Sequence, residues 1–205
     1  MRLSTLIVSI GLLVSSIQAQ GVSRTGKKDG TALYTAGVKL PEGDYEFASG
    51  VNQKILNMIQ PNNILTLTKD STKWELRQHK NTKLFSLHIK NEADLEKCVS
   101  TRWDFGDKST NGEGFPDAAV MWKCEINGSF PDDLGGYEKI YAPKQLWLAV
   151  PDKKVRGQYK IVSFSHLYDM IPRCISNKPI EGGTTLSECK IDTSDDNLLW
   201  TIKKL

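Results

Sequence analysis

The sequence predicts an all-β fold made of three units of about four strands each. Three features predict it: short runs in which apolar and polar residues alternate, turn-forming residues between those runs, and a tryptophan-bearing run that recurs three times. The alternation is clear in residues 64–68 and 159–164, and it suits strands with one buried face. Turn-forming pairs such as Asn127-Gly128 and Gly135-Gly136 separate the runs.

The recurrence places equivalent strands in each unit. Each unit has an opening strand, two strands that form a hairpin, and a closing strand with a tryptophan. The expected strands are 45–48, 54–59, 64–67 and 73–76; then 84–89, 97–100, 122–126 and 145–150; then 159–164, 173–177, 189–191 and 198–202. Because internal repetition fixes an architecture, we expect a closed barrel with threefold repetition over residues 44–205.

Residues 1–19 are typical of a secretory signal peptide. Arg2 supplies a positive start, an apolar run covers residues 6–14, and the segment ends on the small residue Ala19. An uncleaved membrane anchor is the alternative, but the apolar run is short for a bilayer, and no other stretch approaches the length of a membrane span. We therefore expect a secreted, extracellular protein.

Residues 20–43 are expected to form a flexible leader with little burial, because Gly21, Gly26, Gly30 and Gly37 interrupt it. Residues 21–27 have the spacing of a phosphate-binding loop. Lys28 follows where that loop needs Ser or Thr, and no apolar strand precedes it, so we expect no nucleotide site.

Composition and spacing exclude several functions. The chain of 205 residues is 39% hydrophobic and 25% charged, with a net charge of +3 and scattered basic residues, which is typical of a globular protein and not of a nucleic-acid binder. None of the three histidines lies in a His-x-x-x-His pattern, and no Gly-x-Ser-x-Gly motif occurs. We therefore expect no catalytic activity, no cofactor and no metal.

The four cysteines favour two disulfides in a secreted protein, although four cysteines allow three pairings. A zinc site is the alternative, but no two cysteines have the spacing of a zinc knuckle. The sequon Asn127-Gly128-Ser129 predicts N-glycosylation in a surface loop.

The closing Gln145-Leu146-Trp147, together with a cysteine on the second and third strands of two units, resembles the ricin-B-type β-trefoil lectins. The resemblance covers about residues 43–205. It implies a β-trefoil with the disulfides Cys98–Cys124 and Cys174–Cys189, and apolar contacts around Leu56 and Leu65 where the first unit has no bridge. Trp74, Trp147 and Trp200 are expected in the core.

The resemblance also implies a sugar site in the middle unit. Trp122, two residues before Cys124, stands at the family's stacking position, and Gln145 at its closing glutamine. Ser100 replaces the family's Asp, and Asp104 is the nearby carboxylate that would take its role. Asn197 keeps the family's Asn in the third unit. Trp122 is alternatively a packing residue of its strand.

Two functions therefore remain open. The first is a secreted, non-catalytic, carbohydrate-binding protein whose partner is a glycan or glycoprotein. The second is a protein-binding trefoil, such as a protease inhibitor or host-directed effector, which would use the long loops of the middle unit at residues 103–116 and 127–143. Neither function involves nucleic acid or a membrane span.

Overall fold

The computed structural model describes residues 24–60, 62–79, 81–102, 118–126, 142–167, 172–180 and 183–205. The predicted signal peptide, Asp104, the sequon at Asn127 and most of both long loops lie outside these residues. No helix among the described residues is both long and apolar enough to cross a membrane.

One helix and twelve strands make up the described regular structure, together with two short 3-10 segments, Ala142–Gln145 and Asp196–Leu198. The helix α1 spans Arg24–Ala36. The strands are β1 Gly43–Ser49, β2 Ile55–Ile59, β3 Ile64–Thr68, β4 Trp74–Gln78, β5 Leu84–Lys90, β6 Glu96–Arg102, β7 Ala118–Lys123, β8 Trp147–Pro151, β9 Gln158–Ser163, β10 Arg173–Ile180, β11 Gly183–Glu188 and β12 Trp200–Lys204. The all-β expectation is confirmed.

Six of the strands form a closed antiparallel ring. β1 pairs with β4, β4 with β5, β5 with β8, β8 with β9, β9 with β12, and β12 with β1. The other six strands form the hairpins β2–β3, β6–β7 and β10–β11. We refer to β1–β4, β5–β8 and β9–β12 as the first, middle and third units.

The three closing tryptophans make the same contact in all three units. Trp74, Trp147 and Trp200 each open the last strand of a unit and have no exposed surface. Each indole N–H donates to a main-chain carbonyl on the second strand of its own unit. The acceptors are Leu56 at 2.8 Å, Val99 at 3.0 Å and Ile175 at 3.0 Å, respectively. The prediction that these rings lie in the core is confirmed.

The disulfides are Cys98–Cys124 and Cys174–Cys189, the two pairs that the resemblance implies. In the first unit, Leu56 and Leu65 are fully buried in the same core cluster as the three tryptophans. Apolar packing therefore takes the place of a bridge there, as expected.

Two predicted strands lie elsewhere along the chain. β7 spans Ala118–Lys123 instead of 122–126, and β11 spans Gly183–Glu188 instead of 189–191. In both cases the cysteine follows the strand. In each hairpin the residues that pair with the partner strand come before the second cysteine. Val99 is opposite Met121 in the middle unit, and Ile175 is opposite Leu186 in the third.

Part of the predicted leader packs against the strands, contrary to the expectation of little burial. Leu33 of α1 is fully buried in a second apolar cluster that includes Leu148 of β8. The Val38 N–H donates to the Ala149 carbonyl at 2.9 Å. Gly37 permits this approach, because a Cβ there would lie 2.5 Å from Leu148 Cδ1. The glycines inside α1 do not end it, since tertiary packing outweighs intrinsic helix propensity.

Candidate ligand-binding site

Trp122 is exposed on the surface of the middle unit. It lies on β7 directly opposite Cys98 of β6, and 53% of its surface is accessible, whereas Cys98 is fully buried. A tryptophan that packs a core buries almost all of its large surface, as Trp147 does. The alternative that Trp122 is a packing residue is therefore wrong.

A depression of about 330 Å³ lies at this surface. The β2–β3 turn contributes to it from the first unit, and the β6–β7 hairpin contributes from the middle unit. Its described lining is Asn62, Asn63, Lys97, Met121, Trp122 and Lys123. The site thus lies between two units, whereas the resemblance implied a site within one unit.

The turn side of the depression is held by asparagines. Asn63 adopts a φ of 53°, in the left-handed region that Asn tolerates better than most residues. Its side-chain oxygen accepts a hydrogen bond from Asn91 Nδ2 at 3.2 Å, which ties the turn to the segment after β5. The Asn91 side-chain oxygen in turn accepts from the Leu95 N–H at 2.8 Å. Asn62 is exposed beside this anchored residue.

The hairpin side carries positive charge. Lys97 and Lys123 are directly opposite one another in the β6–β7 register. Side chains of a strand alternate between its faces, so Lys123 and Met121 share one face of β7, and Trp122 borders the depression from the other. The described lining combines an aromatic ring, side-chain amides and two ammonium groups, with no carboxylate.

Gln145 is not a ligand-binding residue in this structure. It is fully buried, and its amide is taken up by the main chain. Its Oε1 accepts from the Glu125 N–H and its Nε2 donates to the Lys123 carbonyl, both at 2.8 Å. Gln145 does lie close to Trp122, as the motif indicates. Its role in this structure is to hold the main chain at the end of β7.

The other predicted contacts are not brought together. Asn197 belongs to the third unit, and its Nδ2 donates to Asp195 Oδ1 at 2.9 Å, so it lies outside the Trp122 depression. Ser100, which stands at the family's Asp position, is buried and donates to the Thr101 carbonyl. Asp104 lies outside the described residues.

Sequence reasoning missed Asn62, Asn63, Lys97 and Lys123. Asn62 and Asn63 lie between two predicted strands, and the two lysines lie within predicted strands. What brings them together is the pairing of Lys97 with Lys123 across β6 and β7, and the packing of the first hairpin beside that pair. A single linear motif does not contain that information, because the four residues are spread over about 60 positions of the chain.

A second polar pocket, of about 270 Å³, lies over a buried histidine network. His79 Nε2 lies 3.1 Å from Ser86 Oγ, and Ser86 Oγ lies 2.7 Å from His88 Nε2. On its other side, His88 Nδ1 is 3.2 Å from a carboxylate oxygen of Glu96, which Arg77 holds at 2.6 Å. Burial lowers the pKa of His79 to about 4, with a further contribution from the charge of His88.

The pKa of His88 is also lowered, first by burial and then by the charge of Arg77, against the opposing effect of Glu96. His88 Nδ1 is 3.2 Å from Cys98 Sγ and 3.5 Å from Cys124 Sγ. This trio has the atom types of a metal site. However, the two sulfurs are bonded to each other, so they are not the thiolates that a metal requires.

No protein-family profile and no curated protein matches the chain. Among solved structures, the chain is similar to a mosquitocidal holotoxin, with a TM-score of 0.50 and 13% identity over 80% of this chain. It covers only 16% of the holotoxin, so the likeness concerns one part of that protein. At this identity the likeness is one of fold alone.

Two smaller proteins score just below the holotoxin. SeviL, solved with an asialo-GM1 saccharide, has a TM-score of 0.49 and 10% identity over 80% of this chain and 98% of its own. The BEL beta-trefoil has a TM-score of 0.49 and 8% identity over 82% of this chain and 97% of its own. Likenesses below 0.5 carry no argument about the ligand of this chain.

Proposed function

We propose that this protein is a secreted, non-catalytic, carbohydrate-binding β-trefoil of the ricin-B type, and that it binds a glycan at the Trp122 depression. The observation that carries the proposal is the exposure of Trp122 beside a depression lined by amide and ammonium groups. An indole left half in water costs hydrophobic free energy, so a ligand that covers it recovers that free energy.

The β-trefoil part of the proposal is supported by the ring of six strands, the three hairpins, and the three equivalent indole hydrogen bonds. The secreted part is supported by the form of residues 1–19 and by two disulfides, which persist in oxidising compartments.

The chemistry of the lining suits a sugar. A pyranose ring has an apolar C–H face, which an indole covers, and hydroxyls, which amide groups bind as donors and acceptors. Trp122 supplies the indole and Asn62 supplies an exposed amide. Such a shallow, open site is expected to bind weakly, because it buries little of the ligand.

A protein-binding trefoil is the second candidate. One specific observation favours it: Gln145 and Ser100, at two positions that the lectin family uses for polar sugar contacts, are both buried. Exposed tryptophans are also frequent anchors of protein interfaces. The two functions differ in whether an isolated oligosaccharide binds.

The test is a glycan array followed by titration of the best oligosaccharide against the wild type and three variants. Trp122→Ala should weaken binding about tenfold, the effect of one stacked ring. Trp122→Phe should retain most of the affinity. Val51→Ala, which trims another exposed apolar side chain, should leave binding unchanged.

Thermal melting accompanies each titration. Because Trp122 is exposed, Trp122→Ala should melt close to the wild type. Normal binding by a well-folded Trp122→Ala protein would overturn the site. Absence of binding to any glycan by the wild type would leave the protein-binding function as the better explanation.

A further inference from the structure

Two lysines face each other in the hairpin that carries Trp122. Lys97 and Lys123 are direct partners in the antiparallel β6–β7 register, an arrangement of like charges that destabilises a sheet. The Lys123 side chain is 70% exposed, and its ammonium lies 4.0 Å from a Glu125 oxygen, at the outer limit of an ion pair. Among the described residues, no carboxylate forms an ion pair with Lys97. The hairpin therefore holds two poorly compensated positive charges at the depression.

The other two units are internal comparisons for this position. Lys97 is two residues before Val99, the acceptor of the Trp147 indole. The equivalent positions are Lys54 in the first unit and Arg173 in the third. Arg173 faces Glu188, so the third hairpin pairs opposite charges where the middle hairpin pairs like charges.

The first hairpin has lysines but no ring. The outermost residue pair of its ladder is Ile55 opposite Thr68, and Lys54 and Lys69 are the next residues along the chain on either side. Thr68 is therefore the counterpart of Trp122, which lies opposite Cys98. Of the three hairpins, the middle one combines two basic side chains with an exposed aromatic ring.

We propose that the Trp122 depression takes an acidic saccharide, whose carboxylate or sulfate lies between the ammonium groups of Lys97 and Lys123. This inference rests on the carbohydrate-binding function proposed above and names its ligand class. An anion between the two lysines removes their mutual repulsion and forms charge-assisted hydrogen bonds, which are stronger than neutral ones. Trp122 lies on the opposite face of β7 from Lys123 but borders the same depression, so its indole covers the C–H face of the neighbouring sugar.

An acidic peptide is the competing ligand, since it also neutralises lysines. The saccharide is favoured by the rest of the lining: the depression also has the exposed indole of Trp122 and the exposed amide of Asn62, which match the C–H face and the hydroxyls of a sugar. The depression of about 330 Å³ has room for one or two sugar rings.

The experiment uses an array that carries sialylated, sulfated and uronate-containing oligosaccharides, each printed next to its neutral counterpart. The wild type should bind acidic members at least tenfold more tightly than the neutral ones. Raising the salt concentration should weaken this preference. Lys97→Gln and Lys123→Gln should each reduce binding of the acidic member about fivefold, in keeping with an exposed ion pair. Lys54→Gln is the matched control and should bind like the wild type.

The possible outcomes separate this inference from the proposed function. Equal binding of acidic and neutral members, with loss in Trp122→Ala and none in the lysine variants, would overturn the acidic ligand and leave the glycan site standing. Competition by polyglutamate as effective as that by the acidic oligosaccharide would overturn the saccharide class. Absence of binding to any printed glycan would overturn the proposed function and this inference together.

Discussion

The side chain of Gln145 holds the main chain at Lys123, donating to its carbonyl at 2.8 Å. The same amide accepts from the N–H of Glu125 at 2.8 Å, so it binds the chain on both sides of Cys124. Cys124 is itself fixed to Cys98 by a disulfide. One buried glutamine and one disulfide thus fix the end of β7, where Trp122 and Lys123 border the depression.

Gln145→Leu should destabilise the protein and should weaken ligand binding only indirectly. The leucine leaves one part-buried N–H and one part-buried carbonyl without their glutamine partner, which costs up to about 1–3 kcal/mol for each. Chemical unfolding of Gln145→Leu against the wild type measures this loss. Lys90→Ala, which removes an exposed pair with Asp94, is the control and should change stability by less than about 1 kcal/mol.

A direct sugar contact by Gln145 would give the opposite result. In that case Gln145→Leu would retain the stability of the wild type and lose affinity selectively, and the structural role described here would be wrong.

Much of the fold follows from local patterns in the sequence. The three tryptophan-bearing strands were predictable because each unit has a tryptophan at the start of its last strand. A side chain as large as an indole is expected to be buried, and three equivalent ones are expected to be buried in the same way. Both disulfides followed from the resemblance. The ends of β7 and β11 did not follow, since the cysteines mark the turn after each strand and only cross-strand pairing reveals where the ladder lies.

The candidate site was only partly predictable. Trp122 was identified from its position before Cys124, but its exposure depends on what the neighbouring hairpins cover. Gln145 was misassigned because a sequence motif gives proximity and not burial. Asn62 comes from a different unit, so only the packing of the hairpins brings it near Trp122. The helix α1 was missed because its stability comes from contacts of Leu33 with β8, and not from its own glycine-containing sequence.

Replacing any of the three core tryptophans with phenylalanine should have a similar effect. Trp74→Phe, Trp147→Phe and Trp200→Phe each keep an aromatic ring but leave a buried carbonyl without its indole donor. Each should lose about 1–3 kcal/mol for the hydrogen bond, and more for the smaller ring. Thermal melting compares them, with the exposed Trp122→Phe as a control that shifts stability by no more than about 0.5 kcal/mol. A near-neutral effect at one site would contradict the equivalence of the three units.

Acid should destabilise the fold before its carboxylates titrate. The pKa of His79 falls from 6.5 to about 4 on folding, so the unfolded chain binds a proton that the folded protein excludes in this range. Stability is therefore highest above pH 6.5 and decreases as the pH falls towards 4, by up to about 1.4 kcal/mol per pH unit for each such histidine. The pKa of His88 is shifted in the same direction and adds to the effect.

Urea unfolding at pH 7.5 and pH 5 measures this dependence. His79→Gln should show a smaller loss between the two pH values than the wild type, because one of the two titrating groups is gone. Val51→Ala, at an exposed apolar residue that does not titrate, is the control. An unchanged pH dependence in His79→Gln would show that other groups cause it.

The buried ion pair between Lys160 of β9 and Asp152 of the β8–β9 connection provides the sharpest test of packing between the middle and third units. Their side chains are 1% and 2% exposed, and the charged atoms lie 3.3 Å apart. Lys160 also donates to the Lys190 carbonyl at 3.0 Å, and Asp152 accepts from Ser194 Oγ at 3.0 Å. Burial alone would raise the pKa of Asp152, but hydrogen bonds from Val155, Lys154, Ser194 and Lys160 lower it overall.

Lys160→Met should therefore destabilise the protein by about 3–5 kcal/mol, because it leaves the Asp152 carboxylate buried without its counter-charge. The double variant Lys160→Met/Asp152→Asn should lose less than the sum of the two single variants, since it removes both charges together. Lys153→Met, in an exposed pair with Asp192, is the matched control and should cost less than about 1 kcal/mol. Chemical unfolding of the four variants and the wild type completes the cycle. Strictly additive losses would mean that Lys160 and Asp152 do not interact, and that each side chain is stabilised only by its separate hydrogen bonds.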